Sequence, residues 1–350
     1  MTTQSLSHTY KRYRTLQTDR ITALPIVILM PHSACNCRCV MCDIWKGNKN
    51  LKQLGPEDVK GLLSTLKKLN TRQVLMSGGE ALLNQKFFEL CDILRDEDIS
   101  ITLLSTGLTL KRNAEQLLTH VNDIIVSLDG DEALHDAIRN IPGAYSKLKE
   151  GVQYIKAIDP GYKISGRSVI HKLNYMSWQN IVESAMDIGL DSISFLPADV
   201  TSTAFNRDTP WDASRQQEVV IPEKELPELK NAIEQLLANC KTELDSHFIV
   251  ESLEKIWKIY AHYCASYGLN SFPEKKCNAP WVSTVIEADG AVRPCFFHPV
   301  IGNIKSESLE NILNSESSVT FRKNLDTNTD STCLKCVCSL NLKPHINPAN

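Results

Sequence analysis

Apolar residues along the first two hundred positions follow two alternating patterns. Short runs rich in β-branched residues predict strands over 25–30, 73–76, 99–104, 123–128, 163–170 and 192–196. Between these runs, apolar residues recur at helical spacing and predict helices over 56–69, 85–95, 111–118, 146–158 and 177–188. Six strand–helix units of this kind predict a parallel sheet with right-handed crossover connections.

Polar residues follow every predicted strand at its carboxyl end. Beyond the cysteine-rich loop after the first strand, they are the segments 77–80, 105–107 and 127–129 and the residues His171, Asn174 and Asp199. Taken alone, a Gly-Gly or Ser-Thr-Gly sequence usually marks a turn or a helix cap. Because parallel sheets place their chemistry in the loops that leave the carboxyl ends of strands, the joint placement predicts one site at this edge.

Three cysteines follow the first predicted strand at the spacing C-x3-C-x2-C. They are Cys35, Cys39 and Cys42. Three thiolates hold a [4Fe–4S] cluster by three irons and leave the fourth iron free for a non-protein ligand. The alternative is a zinc site with His32 or Cys37 as its fourth ligand, although zinc ligands usually come as two separated pairs. The single compact loop favours the cluster.

Composition excludes some classes of protein and favours others. The chain has 350 residues, a formal net charge of −3 and twelve cysteines. It shows no basic stripe that would indicate a nucleic-acid partner, and no apolar run approaches the roughly 20 residues of a membrane helix. The polar, basic residues 1–20 are unlike a secretory signal. Cysteines in a chain without such a signal indicate metal ligands rather than disulfides, and we expect a cytoplasmic location.

The pattern changes after the sixth predicted strand. Residues 197–221 show no clear period, which fits either a cover over a substrate mouth or an ordinary surface insertion. Helices are predicted over 223–240 and about 246–264, and Cys91, Cys240 and Cys264 within helical patterns are expected to be small buried apolar residues.

A hairpin and a second group of cysteines follow. Two β-rich runs, 282–287 and 291–295, flank an Asp-Gly pair that is typical of a hairpin turn. The second group of cysteines consists of Cys277, Cys295, Cys333, Cys336 and Cys338. Ligands from both sides of a hairpin together with a late C-x2-C predict a closed four-thiolate site, which fits zinc and an iron–sulfur cluster equally.

From residue 25 to residue 338, the chain resembles a radical S-adenosylmethionine (SAM) enzyme. The cysteine triplet and the Gly78-Gly79-Glu80 loop after the second strand match that family's signature. The C-terminal part resembles the shortened SPASM module called twitch, whose hallmark residues here are Cys277, Gly290, Cys295, Cys333 and Cys336. The resemblance implies an α/β fold, a (β/α)6 partial TIM barrel followed by a small α+β twitch-type iron–sulfur module. We predict an N-terminal extension (1–24), the barrel core (25–221), a helical connection (222–270) and the module (271–350).

The resemblance also implies roles for particular residues. The triplet would hold the catalytic [4Fe–4S] cluster, whose open iron chelates the methionyl end of SAM. The positions that match the family's SAM-binding residues are Met41, Gly78, Gly79, Glu80, Ser105, Ser127, Arg139 and Asn174. In the family, the Gly-Gly-Glu edge accepts hydrogen bonds from the SAM ammonium, and the arginine pairs with the SAM carboxylate. Met41 stands where an aromatic residue usually packs on the adenine.

Counting cysteines predicts one auxiliary [4Fe–4S] cluster rather than two. Its ligands would be Cys277, Cys295, Cys333 and Cys336, with Cys338 left over or replacing Cys336. Cys37 has no role in this scheme, and His171, Asp199 and His298 are candidates for facing the substrate without an assigned function.

Three functions from different classes remain open at this stage. The first is a radical SAM oxidoreductase or related enzyme that cleaves SAM to a 5′-deoxyadenosyl radical with an electron from a flavodoxin- or ferredoxin-like donor. The radical abstracts hydrogen from a small-molecule substrate, leading to oxidation or rearrangement. The second is a maturase of a ribosomal peptide, for which about 24 residues before the first strand are few for a peptide-recognition domain. The third is a non-catalytic zinc or electron-transfer protein, which leaves Glu80 and Arg139 unexplained.

Overall fold

The computed structural model describes residues 3–344. The first two residues of the predicted N-terminal extension and residues 345–350 of the predicted module lie outside the described residues. No helix within the described part of the chain is long and apolar enough to cross a membrane.

Nine strands form one continuous sheet. In chain order they are β1 Ile26–Leu29, β2 Gln73–Met76, β3 Ser100–Ser105, β4 Asp123–Ser127, β5 Lys163–Ile170, β6 Ser192–Pro197, β7 Ser283–Ile286, β8 Ala291–Arg293 and β9 Gly302–Asn303. Their order across the sheet is β6-β5-β4-β3-β2-β1-β7-β8-β9. Neighbours among the first six strands all pair in parallel, so the predicted sheet is confirmed.

Fifteen helices were found in the described residues. In chain order they are α1 Thr3–Thr18, α2 Pro56–Lys68, α3 Phe87–Arg95, α4 Leu110–His120, α5 Glu132–Arg139, α6 Ala144–Ile158, α7 Trp178–Ile188, α8 Ala213–Gln217, α9 Leu226–Asn239, α10 Lys241–Asp245, α11 Leu253–Ser266, α12 Ala279–Val282, α13 Leu309–Asn314, α14 Glu316–Asn324 and α15 Ser331–Lys335. One helix lies between each pair of consecutive barrel strands except after β4, which two helices follow, and α8–α11 come after β6.

Alternating burial along the strands defines the two faces of the sheet. On β4, Ile124 and Val126 are fully buried, whereas Ile125 and Ser127 between and after them keep some exposure. On β5, the same alternation leaves Arg167 partly exposed between buried neighbours. The buried face packs under the helices, and the other face lines the interior of a partial barrel.

The C-terminal hairpin belongs to the same sheet as the barrel. Strand β7 pairs in parallel with β1, with Leu29 opposite Ile286. Strands β7 and β8 form the predicted hairpin, and Gly290 in its turn has φ of 87°, a left-handed conformation that favours glycine. This β1–β7 pairing joins two regions far apart in the sequence, and it fixes the C-terminal cysteines relative to the loop after β1.

The N-terminal segment packs against the C-terminal part of the chain. The Trp281 indole donates a hydrogen bond to Asp19 Oδ1 at 2.8 Å. The Asn314 amide pairs with both backbone groups of Ile21, at 2.7 and 3.0 Å. Buried Arg322 donates to the Asp19 carbonyl at 2.6 Å. Residues before the barrel therefore stabilise the region that carries the second cysteine group.

One helix prediction is wrong at its start, and eight of the fifteen helices were not predicted, namely α1, α5, α8, α10 and α12–α15. The helix predicted over about 246–264 begins only at Leu253, because residues 248–250 run extended and exchange backbone hydrogen bonds with Ile193 at 2.7 and 3.0 Å. These bonds cover the edge of β6, and Ser252 then caps the helix. Helix α5, which carries Arg139, was not predicted. Cys91, Cys240 and Cys264 are buried as expected.

Candidate active site

The three thiols of the C-x3-C-x2-C loop come together at the carboxyl end of β1. Burial is the main cause that raises the pKa of the Cys35 and Cys42 thiols to about 12, and the charge of Cys39 contributes in the same direction. A hydrogen bond from the Cys37 thiol lowers the pKa of Cys39, and the positive charge of Arg139 acts in the same direction. Three neighbouring thiols of one loop are the arrangement that a three-thiolate cluster site requires.

Backbone amides point at two of these sulfurs. The Cys37 N–H donates to Cys35 Sγ and the Ile44 N–H donates to Cys42 Sγ, each at 3.5 Å. Arg139 Nη1 lies 3.5 Å from Cys39 Sγ in the same role. Donors aimed at sulfur stabilise thiolates, so these residues fit the charge of an iron–sulfur cluster.

The two candidates for a fourth zinc ligand at this loop both make other contacts. His32 Nδ1 accepts a hydrogen bond from the Ala34 N–H at 2.9 Å, which turns the imidazole toward its own loop backbone. The Cys37 side chain is 1% exposed and packs in the hydrophobic core. His32 thus has one ring nitrogen engaged in its own loop, and the Cys37 thiol donates a hydrogen bond to Cys39.

The two glycines after β2 allow the chain to pass against the cysteine loop. A Cβ atom on Gly79 would lie 2.1 Å from the Ala34 carbonyl oxygen, and one on Gly78 would lie 3.0 Å from the His32 carbonyl oxygen. Gly78 also has φ of +114°, which side chains rarely tolerate. The Glu80 N–H then donates to the Ala34 oxygen at 2.8 Å. Both glycines are therefore required for the contact between these two loops.

The Glu80 side chain ties the loop after β2 to the loop after β3. Its carboxylate accepts hydrogen bonds from the Thr106 N–H at 2.8 Å, the Thr106 hydroxyl at 2.7 Å and the Ser105 hydroxyl at 3.1 Å. Burial raises its pKa, and the Thr106 bonds oppose that shift. The predicted contacts of Glu80 and Ser105 with SAM stay predictions, since both side chains are used in holding the loops together.

Arg139 lies beside the cysteine loop and already has an anionic partner. Its guanidinium forms a buried ion pair with Asp129 at the end of β4, while its carbonyl accepts the Arg38 N–H at 3.0 Å. Asp129 is fully buried and also accepts the Val169 N–H at 3.1 Å. The Arg139 Nε atom is buried without a hydrogen-bond partner within the described residues. A contact between Arg139 and the SAM carboxylate stays a prediction, with this donor as its basis.

The other predicted positions occupy the same edge of the sheet. The Asn174 amide donates to the carbonyls of Asp129 and Val169 at 3.1 and 3.0 Å and accepts the His171 N–H at 2.8 Å. These bonds use both amide hydrogens and one of the two lone pairs of the amide oxygen, and the contact of Asn174 with SAM stays a prediction. Met41 is buried beside the thiols, and Ser127 keeps some exposure to the barrel interior.

The second cysteine group also comes together. All five of its thiols line one small cavity, namely those of Cys277, Cys295, Cys333, Cys336 and Cys338. The Cys338 N–H points at Cys336 Sγ at 3.4 Å, which repeats the amide–sulfur contact of the first site. Lys275 reaches into this group and donates to the Leu334 carbonyl at 2.9 Å. Burial lowers the pKa of Lys275. The nearby thiols of Cys336 and Cys333 have the opposite, smaller effect.

Cys338 differs from the other four in the groups around it. Burial raises the pKa of its thiol, and the charged groups that act next on it are Arg167 and Asp199 of the barrel. The amide–sulfur contact favours Cys336 as the cluster ligand and leaves Cys338 between the module and the barrel interior. His298, a second candidate for facing the substrate, instead lies 3.3 Å from Cys333 Sγ through its Nε2 atom.

A cleft of about 350 Å³ opens between the barrel and the hairpin. Its walls come from the cysteine loop, the loop after β2, residues 203–208 and the hairpin, including His32, Gly79, Phe205, Arg293 and Phe296. Two ion pairs frame it, Lys52 with Asp289 at 2.9 Å and Arg293 with Glu287 at 2.7 Å. The size lies at the lower end of ligand pockets.

Sequence reasoning missed the contribution of the segment 198–221. Arg207 and Trp211, both buried, contact the cysteine loop, and so does Arg215. Asp199, a candidate for facing the substrate, is instead paired with Arg207 at 2.8 Å. The clustering of two arginines and a tryptophan in an aperiodic segment was the available signal. The sequence contained no signal for Lys275 or Arg167, because single basic residues are usually solvated.

Two family models match the chain. Residues 29–185 match the radical SAM superfamily, and residues 277–337 match the iron–sulfur cluster-binding domain SPASM. The subtilosin biosynthesis protein AlbA of Bacillus subtilis is 23% identical over 288 residues, which are 80% of this chain and 57% of that protein. An AdoMet-dependent heme synthase of Methanosarcina barkeri is 23% identical over 310 residues, which are 83% of this chain and 82% of that protein.

Solved structures show the same fold. Streptococcus suis SuiB bound to the precursor peptide SuiA matches with a TM-score of 0.64 and 15% identity, covering 95% of this chain and 75% of that one. The structure of anSMEcpe with bound AdoMet matches with a TM-score of 0.60 and 15% identity, covering 89% and 87%. The two family models, the paired cysteine sites and this fold agree. The chain belongs to the radical SAM superfamily with a C-terminal SPASM module, and its cofactors are [4Fe–4S] clusters and SAM.

Proposed function

We propose that the protein catalyses a two-electron oxidation of its substrate, begun by hydrogen abstraction inside the barrel. The observation that carries this proposal is the position of the second cysteine site. The charges of Arg167 on β5 and Asp199 after β6 act on the thiol of Cys338, which lines one small cavity with the other four cysteines. An electron acceptor held by the module would therefore be next to the space in which a substrate radical forms.

Cys35, Cys39 and Cys42 would hold the first cluster, and with SAM bound to it this site would supply a radical able to remove a hydrogen atom from the substrate. The chain's own residues hold this chemistry in place. Gly79 and Glu80 fix the cysteine loop against the loop after β2. Arg139, paired with Asp129, fixes it against β4.

The second site is built to favour electron acceptance. Lys275 is a partly buried cation beside Cys336 and Cys333, and it donates to the Leu334 carbonyl in the turn between them. A positive charge near a cluster stabilises the reduced, more negative state and raises its reduction potential. The same lysine also holds the C-x2-C turn in the conformation that presents both thiols.

A polar row across three strands is the proposed contact surface for the substrate. Ser127, Arg167 and Ser194 are register partners on β4, β5 and β6, so they face the same side of the sheet. The Arg167 Nε atom donates to the Ser194 hydroxyl at 3.3 Å. Within residues 3–344, no carboxylate oxygen lies within 4.0 Å of the Arg167 guanidinium nitrogens. This cation in the barrel interior suits a substrate that carries an anionic group, such as a small carboxylated or phosphorylated metabolite.

The test of oxidation is a mass balance. Anaerobically reconstituted protein is supplied with SAM, dithionite and candidate metabolites, and products are measured by mass spectrometry. We expect a product lighter by two hydrogen atoms, formed in equal amount to 5′-deoxyadenosine. A product of unchanged mass would identify a rearrangement and contradict the proposal. A flavodoxin- or ferredoxin-like protein is the proposed natural reductant, and it should replace dithionite in the same assay.

A second candidate is the oxidative maturation of a ribosomal peptide. It is favoured by the peptide-maturation proteins among the relatives, which include AlbA and the mycofactocin maturase MftC of Mycobacterium tuberculosis, 28% identical over 136 residues. The cleft that opens beside the cysteine loop and the hairpin would admit an extended chain. Peptides encoded beside the gene, incubated under the same conditions, should lose two mass units per modification. If only small metabolites are converted, this candidate is rejected.

A further inference from the structure

The segment after β6 contacts the cysteine loop through three side chains. Arg207 Nη2 donates to the Met41 carbonyl at 3.4 Å, and the Trp211 indole N–H donates to Asp43 Oδ2 at 2.6 Å. Arg215 Nη2 donates to the Val40 carbonyl. Three side chains thus contact residues just before and after Cys42.

These three side chains also pack on one another. The guanidinium carbon of Arg207 lies 3.9 Å from the centroid of the Trp211 ring, and that of Arg215 lies 4.5 Å from it. Contacts of this kind between a cation and an aromatic face are attractive, more so where water is excluded. Arg207, Trp211 and Arg215 therefore act as one unit, which we call the 207–215 clamp.

A buried ion pair lies at the centre of the clamp. Arg207 pairs with Asp199 at 2.8 Å, and the two side chains are 1% and 2% exposed. Arg207 also donates to the Asp199 carbonyl at 3.0 Å. Burial lowers the pKa of Arg207, and the opposing charges of Asp199 and then Cys42 raise it. The sulfur of Cys42 thus lies within the electrostatic reach of this pair.

Stability alone is a weak explanation for such a pair. Replacing a buried ion pair by apolar residues is often neutral or stabilising, because both charges lose their hydration. Here the arginine makes a backbone contact next to a proposed cluster ligand, where charge and position matter for electron transfer.

We propose that Arg207 and Trp211 are positioning residues for the first cluster, and that the Asp199–Arg207 pair sets the reduction potential of that cluster. The clamp fixes the backbone around Cys42, so the distance from the pair to the sulfur is constant. The arginine stabilises the reduced cluster, and the aspartate offsets part of that stabilisation. Removing either charge alone therefore shifts the potential, in opposite directions.

The experiment is a redox titration of the reconstituted full chain monitored by electron paramagnetic resonance (EPR). The signal that changes when SAM is added reports the first cluster. Arg207→Gln should shift its potential downward, and Asp199→Asn should shift it upward. The double variant should return close to the wild-type value. Trp211→Phe keeps an aromatic ring at this position but removes the indole N–H that donates to Asp43. This variant should broaden the SAM-dependent signal.

Arg322→Gln is the matched control, because Arg322 is also a buried arginine that donates to backbone carbonyls, those of Asp19 and Leu313 at 2.6 Å. This variant should leave the first potential unchanged. If Arg207→Gln does not assemble the first cluster, the proposal is tested with two other variants. Arg207→Lys should leave the reduction potential of that cluster unchanged, and Asp199→Asn should raise it. Shifts of the same sign in Arg207→Gln and Asp199→Asn, or no shift in Asp199→Asn, would overturn the proposal.

Discussion

Gly79→Ala is the smallest substitution with a large expected effect. The new Cβ atom would lie 2.1 Å from the Ala34 carbonyl oxygen and 2.5 Å from its carbonyl carbon. Both obstacles are backbone atoms, so no side-chain rotation can relieve the overlap. The two loops would have to separate by roughly 1 Å to reach an ordinary contact distance.

The size of the effect follows from two terms. Overpacking between rigid groups costs up to about 3 kcal/mol, and the hydrogen bond from Glu80 N–H to the Ala34 oxygen contributes on the order of 1 kcal/mol. The free energy of unfolding should therefore fall by roughly 3–4 kcal/mol. Since Ala34 directly precedes Cys35, the displacement should also remove the first cluster while the second assembles.

The assay combines urea unfolding of the reconstituted protein, followed by circular dichroism, with iron analysis. Gly61→Ala is the control, because nothing lies within 4 Å of a Cβ atom placed there, inside helix α2. Alanine in a helix interior is favoured over glycine by about 0.5–1 kcal/mol, so the control should be slightly stabilised. An unchanged unfolding midpoint in Gly79→Ala, together with full iron content, would refute the reasoning.

Three further predictions concern cofactor binding, electron acceptance and pH. Arg139→Ala is combined with Asp129→Asn, because the single substitution would leave a buried carboxylate unpaired. The double variant should bind SAM about tenfold or more weakly while both clusters assemble. Unchanged affinity in equilibrium binding would assign the contact with the SAM carboxylate to another residue. Cys333→Ala/Cys336→Ala should keep the first cluster and still form 5′-deoxyadenosine, yet release no oxidised product; full turnover without the second cluster would exclude its role as electron acceptor. Burial lowers the pKa of His262 to about 3, so this residue stays neutral in the folded protein while the unfolded chain takes up its proton. The free energy of unfolding should therefore decrease as the pH falls from about 6.5 toward 3, and His262→Gln should reduce that slope; an identical pH dependence would contradict the assignment.

The sequence predicted the elements that depend on local patterns. Strands β2 and β5 have the predicted bounds, and the other barrel strands differ by one residue at one or both ends. The alternation of buried and exposed positions is a local property, so it survives in the fold. The cysteine spacings predicted two groups of thiols, and both groups come together in the structure.

Contacts between distant segments were not predictable from these patterns. The pairing of β1 with β7 depends on two short apolar runs more than 250 residues apart, and nothing in either run specifies the other. The break before α11 arises because residues 248–250 satisfy the open edge of β6. Helix α5 has only eight residues, and its signals are the cap at Asp131 and the left-handed Asn140 that ends it.

In the site, too, local sequence features were predictable and contacts between distant segments were not. Residue types and their order identified the cysteine ligands and the Gly-Gly-Glu loop. The partners of Glu80 and Arg139 are side chains from other loops, Thr106 and Asp129, which only the folded chain brings near. The ion pair of Arg207 with Asp199 is buried, whereas charged residues in an aperiodic segment are normally solvated, so the burial of this pair was not predictable from the sequence.

The most direct test of the account is the response of the iron centres to SAM. The reconstituted protein should contain about eight irons per chain as two [4Fe–4S] clusters, and SAM should alter the EPR signal of one of them. Replacing Cys35, Cys39 and Cys42 together by alanine should leave about four irons, remove the SAM-sensitive signal and abolish 5′-deoxyadenosine formation. A triple variant that retains the SAM-sensitive signal, or zinc bound stoichiometrically at these three cysteines in the wild-type protein, would contradict the account.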